Sequence, residues 1–133
     1  MAHLDWMQVC ELAYFDRQAR LCLVGITTHL ALPSLPIQMR QLMIVGRIAD
    51  VTFGETLDVS FAMVTPSGQW LSPSDDHTHV EVSAGYVVIT LRDVPLQEEG
   101  PYRFAIQLGS QQLASVVLPV VLLMPDAERI EVH

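Results

Sequence analysis

From Tyr102 onward the chain takes turns between apolar and polar: Tyr102, Phe104, Ile106 and Leu108 alternate with Arg103, Ala105 and Gln107. Successive side chains of a β-strand point to opposite faces, so a period of two predicts one dry face and one wet face. The same period runs through residues 55–64, where Leu57, Val59, Phe61 and Met63 oppose Thr56, Asp58, Ser60 and Ala62. It returns in residues 86–92 as the stripe Val87, Ile89 and Leu91, and around Val80 and Val82, whose opposite face carries His77, His79 and Glu81. Residues 20–32 and 41–49 are rich in Leu, Ile and Val and alternate less cleanly, which predicts central strands. Residues 6–14 read as the opening strand, although residues 4–15 also admit a helical spacing.

Turn chemistry separates these runs at Asp16-Arg17-Gln18, Pro33 to Pro36, Thr65-Pro66-Ser67-Gly68, Ser72 to Asp76, Glu98-Glu99-Gly100 and Gly109-Ser110. Seven or eight short strands at this spacing predict one all-β domain over residues 1–133, an antiparallel sandwich. The last strand, residues 113–124, is apolar on both faces and contains Pro119, which cannot donate to a ladder and so predicts an edge or a bulge. Two readings follow. The strand bends at Pro119 and serves two parts of one core, or it is an edge that meets a partner protein or a second copy.

Composition narrows the partners. Fifteen acids against seven bases give a net charge of −8, and every base is Arg. Without Lys there is no Schiff base and no Walker lysine, and without Asn there is no Asn-linked glycan. An acidic chain with no basic cluster is a poor match for nucleic acid or an anionic membrane surface. The longest apolar run, nine residues from Val116 to Met124, is far short of a membrane span. Residues 1–6 lack the pattern of a secretion signal, so Cys10 and Cys22, on what read as neighbouring strands, are expected as reduced thiols in the cytoplasm.

Residues 89–104 read I-T-L-R-D-V-P-L-Q-E-E-G-P-Y-R-F. This segment resembles the strand E, turn, strand F region of immunoglobulin domains, with Glu98 at the acid position, Gly100 and Tyr102 matching, and Phe104 where those domains have cysteine. The resemblance implies an immunoglobulin-like β-sandwich with a tyrosine corner at Tyr102. The chain is also similar to a family of short bacterial proteins known only as a domain of unknown function. The matching pieces are V-C-E-L-A-Y, R-L-C-L-V-G-I, Pro33 and Pro36, T-P-S-G and G-P-Y-R-F-A-I-Q-L-G. That resemblance implies no catalytic residues.

The best local chemistry is Asp75-Asp76-His77-Thr78-His79-Val80-Glu81. On a strand, His77, His79 and Glu81 share a face, and two imidazoles plus a carboxylate form a ligand set for a divalent ion. A solvated strand face is the plainer reading, so no metal, cofactor or catalytic residue is assigned. His3, His29 and His133 are isolated, no nucleophile elbow is present, and the cysteines lack C-x-x-C spacing. Trp70 follows a turn, either as a partly buried strand end or as an interface anchor at the rim. The sequence therefore supports a non-catalytic interaction or structural module, with metal binding as the alternative.

Overall fold

A computed structural model describes residues 3–49, 59–71, 77–83, 85–108 and 111–123. They form ten strands: β1 (His3–Phe15), β2 (Leu21–Ile26), β3 (Leu30–Leu32), β4 (Ile37–Ala49), β5 (Val59–Val64), β6 (Trp70–Leu71), β7 (Thr78–Ser83), β8 (Tyr86–Leu96), β9 (Gly100–Leu108) and β10 (Gln111–Leu122). The count exceeds the seven or eight expected because β3 and β6 are only three and two residues long. Among the described residues there is no helix, and none long and apolar enough to cross a membrane.

The strands make two sheets, ordered β2-β1-β4-β8-β7 and β3-β10-β9-β5-β6. All pairs are antiparallel except β3 with β10. Between the sheets lies a core built on Leu42, Ile44, Ile89 and Leu91 from the first and Phe61, Met63, Phe104, Ile106 and Leu118 from the second. The period-two stripes are this core. Each buried aliphatic or aromatic side chain there contributes about 1.5–3 kcal/mol relative to exposure.

The opening segment is strand, as read, and the helical spacing that residues 4–15 also admit is not adopted. Two expectations are corrected. Residues 20–32 are two strands in different sheets: β2 lies at the rim of the first and β3 at the rim of the second. The last strand is not a rim strand along its length, because β3 pairs with Val120, Val121 and Leu122. Its two apolar faces have different fates: Val116, Leu118 and Val120 turn inward, while Ser115, Val117, Pro119 and Val121 face out. Pro119 stands opposite Pro101 and short of the β3 pairing, so its missing donor breaks no ladder there.

The first sheet has a third layer. β1 pairs with β4 as far as Cys10 opposite Met43, then with β2 from Cys10 to Phe15. Phe15 comes to 6.4 Å from Tyr86, whose place in the ladder is opposite Arg47. The strand has therefore doubled back over the sheet's outer face. Under this flap Cys10, Ala13, Met43, Val45 and Val88 form a second cluster, with Phe15, Leu21 and Leu23 packed on it. The Ala13 N–H donates to Met43 Sδ at 3.2 Å.

Candidate interaction face

The corner that joins β8 to β9 fixes the register of the second sheet. The Tyr102 hydroxyl accepts from the Gln97 and Glu98 N–H groups at 3.2 and 3.3 Å and donates to the Glu98 carbonyl at 3.1 Å. Gly100 has φ +127, and a Cβ there would lie 2.8 Å from Pro66 Cβ. Glu98 Oε1 accepts from the Ser67 N–H at 3.0 Å, tying the β5–β6 turn to this corner. Phe104 is fully buried and stacks on Phe61 at 5.8 Å, filling the interior where the immunoglobulin pattern places a cysteine.

With Tyr102, Phe104 and Ile106 turned in, the odd-numbered neighbours on β9 turn out. The ladder then aligns Val117, Arg103, Val64 and Trp70 in one row across β10, β9, β5 and β6. The next rows hold Pro119 beside Pro101, and Ser115 beside Ala105 and Ala62. Trp70 is 60% exposed, Val117 47% and Val121 43%, so this face shows large apolar groups to solvent. Trp70 is thus exposed on β6 rather than partly buried. Among the outward strand positions described in this sheet, Arg103 is the sole ionisable side chain.

The opposite side of the molecule differs. There the first sheet is roofed by the flap or shows Arg47, Arg92, His79 and Glu81. The flap's own outer surface adds exposed Leu12, Tyr14, Val24 and Ile26.

The alternative reading, a ligand set of His77, His79 and Glu81, finds no support in the geometry. His79 and Glu81 follow one another on the exposed side of β7, as alternation required, but the His77 imidazole lies 3.5 Å from the Asp93 carboxylate. Among the described residues no three His, Cys, Asp or Glu side chains are placed to hold an ion. His29 is exposed, with Nδ1 3.4 Å from the Thr28 hydroxyl; His133, Asp75 and Asp76 lie outside the described residues. The cysteines are free and on adjacent strands, yet Cys22 faces Tyr14 while Cys10 faces Ile26. That four-residue offset amounts to roughly 13 Å, beyond disulfide reach. Burial pushes the Cys10 thiol up, against a backbone hydrogen bond at Leu12 that lowers it.

Two hollows mark the second sheet. One of about 400 Å³, at the sandwich end, is lined by Thr65, Ser67, Gln69, Leu71, Pro95, Gln97, Glu98 and Tyr102. A shallower groove of about 250 Å³ runs along the outer face beside Val64, Pro66, Pro101, Arg103 and Val117. Sequence reasoning did not single out Arg103. Alternation gave its face, but only the cross-strand register shows that its neighbours are uncharged.

A model described as a family of unknown function, DUF6941, matches residues 5–121. The chain belongs to that family. The match spans this DUF6941 chain from β1 into the end of β10, so it takes in both sheets and the flap. No curated protein sequence matches it. Among solved structures it is similar to the M1 domain from titin, at 11% identity over 71% of this chain and 86% of that one, with TM-score 0.37. It is also similar to the Ig1 domain of mouse SynCAM 2, at 16% identity over 72% of this chain and 93% of that one, with TM-score 0.38. The immunoglobulin-like sandwich is carried by the strand order and the tyrosine corner; likenesses at these scores add nothing to it.

Proposed function

We propose that this DUF6941 chain is a non-catalytic protein-interaction module, a single domain that docks its partner on the outer face of the second sheet, along β10. The observation that carries the proposal is the row Val117, Arg103, Val64, Trp70, in which Arg103 is the one charge among the outward strand positions described. Interface centres are depleted in charge and enriched in aromatic residues and Arg, and Trp and Arg dominate binding hot spots. An exposed apolar face also costs solubility unless something covers it.

The hollow at the sandwich end supports the non-catalytic reading. Its best-placed polar groups already serve the fold: the Tyr102 hydroxyl is saturated, and the Glu98 carboxylate holds the Ser67 amide. Two thiols too far apart to join suit a reducing compartment, which supports a cytoplasmic location.

The test is capture of partners by immobilised chain, run for the native protein, a Trp70→Ala/Val117→Asp double change and a Glu81→Lys change on the opposite sheet. The expected result is a partner kept by the native and Glu81→Lys proteins and lost by the double variant, all three melting alike. A partner set indifferent to Trp70 and Val117 removes this face from the function.

A further inference from the structure

We propose that the outer edge of β7 is a site of self-association, where two copies join antiparallel about a two-fold axis at Val80. Each His79 then meets the Glu81 of the other copy. This goes beyond the interaction face proposed above and does not rest on it, because β7 ends the first sheet and that face belongs to the second.

Edge strands expose unpaired N–H and C=O groups, and proteins blunt them with short strands, bends, prolines or charges. Three of the four sheet edges described are blunted. β3 and β6 are three and two residues long, and β2 carries Gly25 at φ +69. β7 runs six residues, Thr78 to Ser83, with no glycine or proline and no register shift against β8. Among the described residues nothing pairs with its other side.

The ladder fixes which groups that edge offers. The Arg92 N–H donates to the His77 carbonyl at 2.9 Å, and the same register runs on through His79 opposite Thr90 and Glu81 opposite Val88. Bonded and non-bonded positions alternate along an antiparallel pair. The N–H and C=O groups of His79 and Glu81 therefore turn to β8, and those of Thr78, Val80 and Val82 turn to the open edge. A second β7 running antiparallel pairs all three outward residues only when Val80 lies opposite Val80 and Thr78 opposite Val82.

The charges favour that same register. His79 and Glu81 are exposed on one face of the strand. The Val80 axis sets each opposite the other, at the non-bonded positions where side chains come closest. Moving the axis by one residue sets Glu81 against Glu81 in one direction and His79 against His79 in the other. Two-fold contacts must match themselves residue for residue. Backbone and side chains here select the same match, and that self-match favours a second copy over a foreign strand.

The contact is one strand's ladder, so the dimer is expected to form at about 100 µM chain. Sedimentation from about 10 µM to about 1 mM reads it, with amide exchange by NMR on the same samples. The Thr78, Val80 and Val82 amides should exchange freely in dilute chain and gain about fivefold protection at the highest concentration, by mass action. Those of His79 and Glu81, bonded to β8, should stay protected throughout. His79→Glu sets like charges opposite each other and should weaken the dimer at least about fivefold, two cross-strand pairs failing at once. Glu81→Lys should weaken it similarly, although it makes an acidic chain less negative and would otherwise ease self-association. The double change His79→Glu/Glu81→Lys puts a carboxylate opposite an ammonium and should restore the dimer. Partner capture and melting at low-micromolar chain read the monomer, where Glu81→Lys lies far from the second sheet's face.

A chain still monomeric at about 1 mM overturns the inference. Protection of the Thr78, Val80 and Val82 amides already in dilute chain overturns it too, because the edge is then covered from within. Association that leaves those amides exchanging, or that ignores both single changes, rejects this edge and this axis. None of these results touches the face on the second sheet, which stands or falls on Trp70 and Val117.

Discussion

Tyr102 shows how much of the architecture depends on one side chain. Its ring fills the core at 1% exposure, and its hydroxyl serves two amides and one carbonyl at the β8–β9 corner. Phenylalanine would keep the ring and leave the Gln97 and Glu98 amides to find other partners. The expected cost of Tyr102→Phe is about 1–3 kcal/mol, the desolvation penalty of buried groups left unpaired. Urea unfolding checks it: the midpoint should fall while the slope stays constant, since the exposed surface is unchanged. Gly100 beside it has a separate role, because any Cβ at φ +127 would strike Pro66. This corner was legible in the sequence because its parts are contiguous: an acid, a glycine and a tyrosine within five residues specify it locally.

At the scale of the element, the β1–β2 flap was not legible. Alternation identifies a strand but not the sheet in which it pairs, and β1 changes partner midway, from β4 to β2. Residues 20–32 misled for the same reason, since an unbroken apolar run hides a crossing from one sheet to the other. What the sequence did show is the hinge of the hairpin. Asp16 accepts from the Gln18 and Arg20 amides and pairs with the Arg20 guanidinium. The Arg20 N–H bond is the chief cause that lowers its pKa, with the Arg20 side chain and the Gln18 N–H adding to it. A carboxyl whose folded pKa is depressed stabilises the fold above its unfolded pKa, and that contribution is lost as pH falls through the folded value. Acidification should therefore loosen the hairpin tip only below the ordinary carboxylate range. Amide exchange at Gln18 and Arg20 reads this directly. Both should speed up on acid titration after correction for the intrinsic rate, and in Asp16→Asn exchange should already be fast at neutral pH with no acid step.

At the scale of the whole molecule, two clusters of unequal size share the first sheet: the main core between the sheets and the smaller one under the flap. The proposed interaction face belongs to neither, which is why periodicity could mark β10 as unusual without saying which of its sides stays exposed. Its row became visible only when four strands distant in sequence were brought into register. The two clusters should also come apart separately, because stability is distributed unevenly and small peripheral units open on their own. Leu118 is fully buried in the main core, and Leu118→Ala is expected to cost about 2–5 kcal/mol, lowering protection across β4, β8 and β9 together. Leu23 only packs against the smaller cluster, so Leu23→Ala should release the flap and spare the sandwich. Cys10 reports the difference, being buried under the flap with its thiol pushed up, whereas Cys22 is only half-buried. Alkylation at neutral pH should modify Cys22 first and Cys10 at the rate the flap opens. Leu23→Ala should accelerate Cys10 several-fold while the urea midpoint of the sandwich barely moves. If Cys10 accelerates only in step with global unfolding, the flap and the sandwich are one cooperative unit and the three-layer description loses its energetic meaning.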